Sequence, residues 1–168
     1  MIINGVDLSQ LGVYLAIDTT SPSGLVWLKT PKYSHVVPGQ PALATKTARG
    51  YYQGKLLGKC LLAHRVVLYL ATGEFPDAVD HIDGNPSNNH PDNLRPCNPQ
   101  TNAFNSGKRI GNRSGYKGVY AHGNAWVARI RLDGKAVNLG RFNSPELASA
   151  AYIRAAKEAH GDFYCSRN

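Results

Sequence analysis

Between Val79 and Asn105 the chain has few apolar residues and many that can accept a proton, bind a hard cation or hold a tight turn. Asp80 and His81 are neighbours, Asn93 follows the histidine by twelve residues, and Asn102 comes nine further on. An imidazole titrates near neutral pH and can take a proton from a reacting group. Carboxylate and side-chain amide oxygens suit Mg²⁺ or Mn²⁺ better than zinc. An Asp-His pair alone says little. The two asparagines at set distances, in a stretch so poor in core-forming residues, carry the signal.

Such side chains need a frame. Val79–Ile82 reads as a short strand, Asp83-Gly84-Asn85-Pro86 as a tight turn, and Ser87–Asn93 as a loop whose side chains bond the local backbone. Within it Asn85, Asn88 and Asn89 read as turn formers, and His90 as a solvated loop residue. Leu94–Cys97 reads as the returning strand, with Pro96 at its end or edge. Asn98-Pro99 then supplies a helix cap and first helical residue, and that helix would carry Asn102. Neighbours on a regular strand face opposite ways, so Asp80 and His81 can serve one site only at a strand end or bulge.

Upstream, Arg49–Gln53 and Lys59–Leu62 read as a hairpin bent around Gly54–Gly58, followed by a helix over Ala63–Ala71 that Thr72-Gly73 stops. His64 and Arg65 open that helix, where backbone N–H groups favour anions; a phosphate contact and an ordinary core-edge pair both fit. In residues 1–48, Val13–Ile17 and Leu25–Leu28 read as short strands across a Ser21–Gly24 turn, with Trp27 as a core anchor. No chemistry is assigned there.

The strand–loop–strand–helix frame, with Asp-His-Ile-Asp-Gly-Asn and then Asn-Leu-Arg along it, resembles the HNH nuclease motif of the ββα-metal class. It is the variant in which asparagine replaces the last histidine, as in phage and intron-associated homing endonucleases, and the resemblance covers His64–Asn105. It implies His81 as general base, Asn93 as the residue that fixes the loop and orients His81, and Asp80 and Asn102 as ligands of one Mg²⁺ or Mn²⁺ ion. The physical logic agrees. Phosphodiester hydrolysis needs a deprotonated water, charge neutralisation at the transition state and help for the leaving oxygen; histidine suits the first and a divalent cation the others.

The rest of the chain favours a polyanionic partner. Lys plus Arg number 19 against 11 acids in 168 residues, a net +8. Residues 1–108 hold 9 basic and 7 acidic side chains (+2), and residues 109–168 hold 10 and 4 (+6). Cys60, Cys97 and Cys165 are odd in number and widely spaced, which argues against a disulfide framework or a zinc site. No signal peptide and no membrane-spanning stretch is legible, so a cytoplasmic protein with no membrane partner is expected.

Residues 107–115 read as a basic, glycine-rich linker containing Arg109 and Arg113, able to track a phosphate backbone. Beyond it come strands at Lys117–Tyr120, Ala125–Leu132 and Lys135–Leu139, the last two joined by an Asp133-Gly134 hairpin turn. A helix capped by Ser144 follows, closed by Gly161 and carrying Ala148, Ala151, Ala155 and Ala159 at helical spacing. Alternation puts Trp126, Ala128, Ile130 and Leu132 against that helix, and Val127, Arg129 and Arg131 outward.

Ser-Gly-Tyr-Lys-Gly-Val-Tyr, Trp-Val-Ala-Arg-Ile-Arg and Asn-Leu-Gly-Arg-Phe, with the Ala-rich helix, resemble the AP2/ERF DNA-binding domain from Ser114 to about Tyr164. The resemblance implies that Lys117, Tyr120, His122, Arg129, Arg131 and Asn138 face the major groove. Lys117, Tyr120, His122 and Ala136 stand where plant members carry arginines, and Asn138 where they carry tryptophan, so fewer bidentate guanine readers remain. Trp126 belongs to the core.

The expected fold class is therefore α+β: a mostly-β segment over 1–48, a ββα-metal core over 49–108, and a linker with an AP2-like sheet over 109–168. The expected function is metal-dependent cleavage of double-stranded DNA by a monomer or homodimer with no small-molecule cofactor. Two other readings keep part of the pattern: a non-catalytic DNA-binding regulator, and a structure-selective phage nuclease.

Overall fold

A computed structural model describes residues 2–3, 5–32, 34–97, 111–132 and 134–161. The chain divides into two compact units, residues 1–99 and 100–168. It is a mixed α/β fold of several small antiparallel sheets and few helices.

The first unit opens with the β1 (Ile2–Ile3) and β2 (Val6–Asp7) hairpin, a 3₁₀ turn at Leu8–Gln10 and the short helix α1 (Leu11–Tyr14). Next, β3 (Leu15–Ile17) pairs with β4 (Leu25–Trp27) across the Ser21–Gly24 turn. A three-stranded sheet follows: β5 (Thr45–Lys46), β6 (Tyr52–Leu56) and β7 (Lys59–Leu62). Its tight turn is Leu57-Gly58, both with positive φ (50° and 77°), the geometry that matches strand twist in two-residue hairpins. Gly54, expected in that turn, lies inside β6. It is small for another reason: a Cβ there would stand 2.7 Å from Leu43 Cα.

Helix α2 (Ala63–Thr72) leaves β7 directly and ends where Gly73 adopts the left-handed conformation. The hairpin of β8 (Ala78–His81) and β9 (Leu94–Cys97) completes the unit, with Asp80 opposite Arg95 and His81 opposite Leu94. Leu11, Leu15 and Leu25 from the N-terminal segment share one core with Leu56, Val66, Val67, Val79 and Leu94. Residues 1–48 are thus packed into the same body as the hairpin that carries Asp80 and His81.

The second unit is a sheet of β10 (Val119–His122), β11 (Ala125–Leu132) and β12 (Lys135–Phe142), covered by α3 (Pro145–His160). Ser144 caps α3 by accepting from the Leu147 N–H, and Pro145 starts it. Val119, Ala128, Ile130, Ala148, Ala151, Tyr152 and Ala156 form the core, with Trp126 packed at its edge. Of the expected alanine stripe, Ala159 is exposed, and Tyr152 fills the space the small residues leave. Gly118 must lack a side chain, since a Cβ there would meet the Tyr152 ring at 2.2 Å. Among the described residues no helix is long and apolar enough to cross a membrane.

Candidate active site and nucleic-acid interface

Asp80 and His81 are both buried, each 4% exposed, at the end of β8. His81 is the last residue of that strand, the position at which strand neighbours can serve one site. Asp80 meets Arg95 across the hairpin: its Oδ2 accepts from Nη2 at 2.7 Å and from Nε at 2.9 Å. A carboxylate this deep needs such a cation, because charge-assisted bonds offset part of its desolvation.

His81, the last residue of β8, sits among rings. The His64 ring lies edge-on with centroids 5.2 Å apart, and the Tyr51 ring is tilted at 5.9 Å. The His81 Nε2 is 3.0 Å from the Asn89 Oδ1. Asn89 is itself buried, and its Nδ2 donates to the Ser23 carbonyl at 2.8 Å. This residue, read from sequence as one more turn former, is a partner of the imidazole.

Asn93 holds the loop between the strands. Its Nδ2 donates to Asp83 Oδ1 (3.0 Å) and to the Asn88 carbonyl (2.8 Å), while its Oδ1 accepts from the Asp83 N–H (3.0 Å). Asn88 Nδ2 donates to Asp83 Oδ2 at 2.7 Å, and the Asn85 N–H to Asp83 Oδ1 at 2.7 Å. Partial burial works against the Asp83 carboxylate, but the bonds from Asn88, Asn85 and Asn93 outweigh it and hold its pKa below the ordinary value. The loop is also docked outward: Ser87 Oγ donates to the Gly50 carbonyl at 2.9 Å. His90 stays exposed, capping the 3₁₀ turn Pro91–Asn93 by accepting from the Asp92 N–H.

His64 and Arg65 are turned inward rather than presented to an anion. His64 is 5% exposed, and burial first, then the charges of His81 and Arg65, push its pKa down to about 3. Its Nδ1 is buried with no hydrogen-bond partner. Arg65 Nη2 donates to the Pro76 carbonyl at 2.8 Å, and the guanidinium lies 4.5 Å from the Phe75 ring centroid. The core-edge alternative describes this pair.

A metal would need hard oxygen donors here. Among the described residues no three His, Cys, Asp or Glu side chains gather into a metal site. The donor set expected from sequence is instead one carboxylate and one amide. Asp80 fits in kind; Asn102, like Arg109, lies outside the described residues.

In the second unit the face away from α3 brings together Tyr120 and His122 of β10, Val127, Arg129 and Arg131 of β11, and Asn138 of β12. Arg141, paired with Val127, joins them, a residue sequence reasoning passed over. Tyr120, His122, Val127, Arg129, Asn138 and Arg141 line a shallow cavity of about 240 Å³. Tyr120 is 55% exposed, and the three arginines are exposed too. Arg113 lies exposed in the turn before the sheet, and Lys117 is half-buried.

Comparison with known proteins supplies the family. Residues 61–104, the span from β7 through both strands of the Asp80–Arg95 hairpin and on to Phe104, match the family described as HNH endonuclease. The chain is 35% identical over 104 residues to Protein 3.8 of Escherichia phage T7, covering 60% of this chain and 85% of that one. The chain belongs to the HNH endonuclease family. It is also 31% identical over 116 residues to an uncharacterized HNH endonuclease, L560, of Acanthamoeba polyphaga mimivirus, covering 68% of this chain and 60% of that protein. No solved structure matches. As an HNH endonuclease the protein is a hydrolase with phage and viral relatives, and the buried Asp80-His81 pair lies within its matched segment.

Proposed function

We propose that this HNH endonuclease hydrolyses phosphodiester bonds of double-stranded DNA, as a nick or a double-strand break, in the manner of phage and mobile-element homing enzymes. His81 is the general base, taking a proton from the attacking water. Asn93 acts through the loop, whose bonds to Asp83 and Asn88 set where β8 ends. Asp80 and Asn102 would hold one Mg²⁺ or Mn²⁺ ion, which when bound neutralises charge at the phosphate and on the leaving oxygen. Residues 49–108 form the nuclease core, seated on residues 1–48. Residues 109–168 form the grip: Lys117, Tyr120, His122, Arg129, Arg131 and Asn138 on an AP2-like sheet, with Arg109 and Arg113 before it.

The observation that carries the catalytic reading is the buried His81 ring, held by Asn89 and packed by His64 and Tyr51, next in sequence to a carboxylate inside the HNH segment. The grip rests on the three outward arginines and the +6 charge of residues 109–168. His81→Ala lowers plasmid cleavage by about 10²–10⁴-fold while leaving DNA retention intact. A plasmid incubated with Mg²⁺, with and without EDTA, separates a nuclease from a non-catalytic regulator. Equal loss of cleavage and retention in folded His81→Ala would refute the division of labour.

A further inference from the structure

Asn89 is 3% exposed, and both ends of its amide are engaged. The Nδ2 donates to the carbonyl of Ser23, sixty-six residues earlier in the chain. That carbonyl can only accept, so the amide cannot turn over, and Oδ1 must face the His81 ring. Its contact there is the Nε2, at 3.0 Å. An acceptor facing a ring nitrogen demands a proton on that nitrogen.

We infer that Asn89, held by Ser23, is a positioning residue that fixes His81 in the Nε2–H tautomer, so that Nδ1 carries the lone pair that accepts the proton from water. The inference rests on His81 being the general base and deepens that reading. It also gives the N-terminal segment a part in the site. Ser23 is fully buried; its hydroxyl donates to the Ala42 carbonyl and accepts from the Leu25 N–H at 3.3 Å. Gly24, with φ of 78°, lets the turn approach the loop: a Cβ there would stand 3.0 Å from the Asn89 carbonyl oxygen. The turn is thereby pressed against the residue that orients the imidazole. Asn93, expected to orient His81, bonds through its side chain to Asp83 and Asn88, so the two asparagines divide the work: one shapes the loop, the other sets the ring.

The test uses the full chain. Long-range ¹H–¹⁵N spectra of the wild type, without metal or DNA at a pH where the ring is neutral, show His81 protonated at Nε2. Asn89→Leu gives a mixed tautomer and lowers the single-turnover cleavage rate by about 10–100-fold with DNA affinity unchanged. An Nδ1–H tautomer in the wild type overturns the inference without any variant. So does a folded Asn89→Leu protein whose His81 ring stays wholly in the Nε2–H tautomer, which would mark Asn89 as a loop support alone. His81→Ala, measured beside them, tests the base assignment separately: full cleavage by that variant ends the catalytic reading, whatever the tautomer.

Discussion

His64 makes the acid stability of the first unit predictable. In the folded protein its pKa is pushed down to about 3, and in the unfolded chain it returns to 6.5. As pH falls below 6.5 the unfolded chain takes up a proton that the folded one refuses. The stability from the neutral ring is therefore complete above pH 6.5 and is lost progressively as pH falls toward 3. The slope approaches about 1.4 kcal/mol per pH unit, so at pH 5 the loss is roughly 2 kcal/mol. Two details of the structure support so large a term. The ring is wedged between Tyr51 and His81, with centroids 5.3 and 5.2 Å away, and its buried Nδ1 has no partner to share a second proton. His64→Phe retains a ring and cannot titrate. Its absolute stability depends on how a slightly larger ring packs, but its pH slope does not.

The assay is urea unfolding at pH 7, 6 and 5 in a Trp126→Phe background. Only two tryptophans are present, and the buried Trp27 then reports the first unit alone. Wild type should lose roughly 2 kcal/mol more than His64→Phe between pH 7 and 5. Parallel lines for the two proteins would refute the reasoning, since they would mean that His64 is protonated, or free to be, in the folded state.

Two further predictions concern charge. Arg95→Leu strips the buried Asp80 carboxylate of its guanidinium and should cost about 3–5 kcal/mol by the same Trp27 signal; Asp80→Asn in the Arg95→Leu background should recover most of it. An unshifted midpoint for Arg95→Leu would mean that the pair contributes nothing. Arg129→Ala with Arg131→Ala should weaken DNA binding and reduce the slope of log K against log salt by roughly 0.9 for each phosphate contact removed. An unchanged slope would place both arginines away from the backbone.

The hairpin of the HNH segment was legible because its punctuation is local. Gly84 turns the chain with φ of 70°, Asn93 reaches back ten residues to Asp83, and Pro91 starts the 3₁₀ turn. Asn89 was not legible. Asn85, Asn88, Asn89 and Asn93 stand within nine residues, and turn chemistry explains any of them. What sets Asn89 apart is a carbonyl sixty-six residues away, which no window of sequence contains. His64 is a position where two readings stayed open. A histidine at a helix start invites an anion, but Val66 and Val67 fix which side of α2 is buried, and Ala63 and His64 go in with them. Leu11, Leu15 and Leu25 carry no chemistry in the sequence, and only their burial with Val66, Val67 and Val79 in one core shows what the segment supports.

Arg141 was missed for a geometric reason. Strict alternation from Lys135 puts Ala136, Asn138 and Gly140 on one face and Val137, Leu139 and Arg141 on the other. The observed register breaks between Ala128 and Arg129: Arg129 pairs with Asn138 and Ala128 with Gly140, so Leu139 is the extra residue of a β-bulge. Leu139 packs toward the core under α3, the Gly140 N–H bonds the Asn138 Oδ1 at 3.1 Å, and Gly140 takes a φ of 128°. From there the strand is one step out of phase. Arg141 crosses to the outer face beside Val127 and shares the cavity rim with Arg129 and Asn138. An uninterrupted strand would instead point that guanidinium at the helix, where the apolar core of Val119, Ile130, the alanines and Tyr152 could not satisfy it. The bulge thus lets a single strand give a leucine to the core and an arginine to the surface only two positions apart, which is how so small a sheet gathers three guanidinium groups on one side.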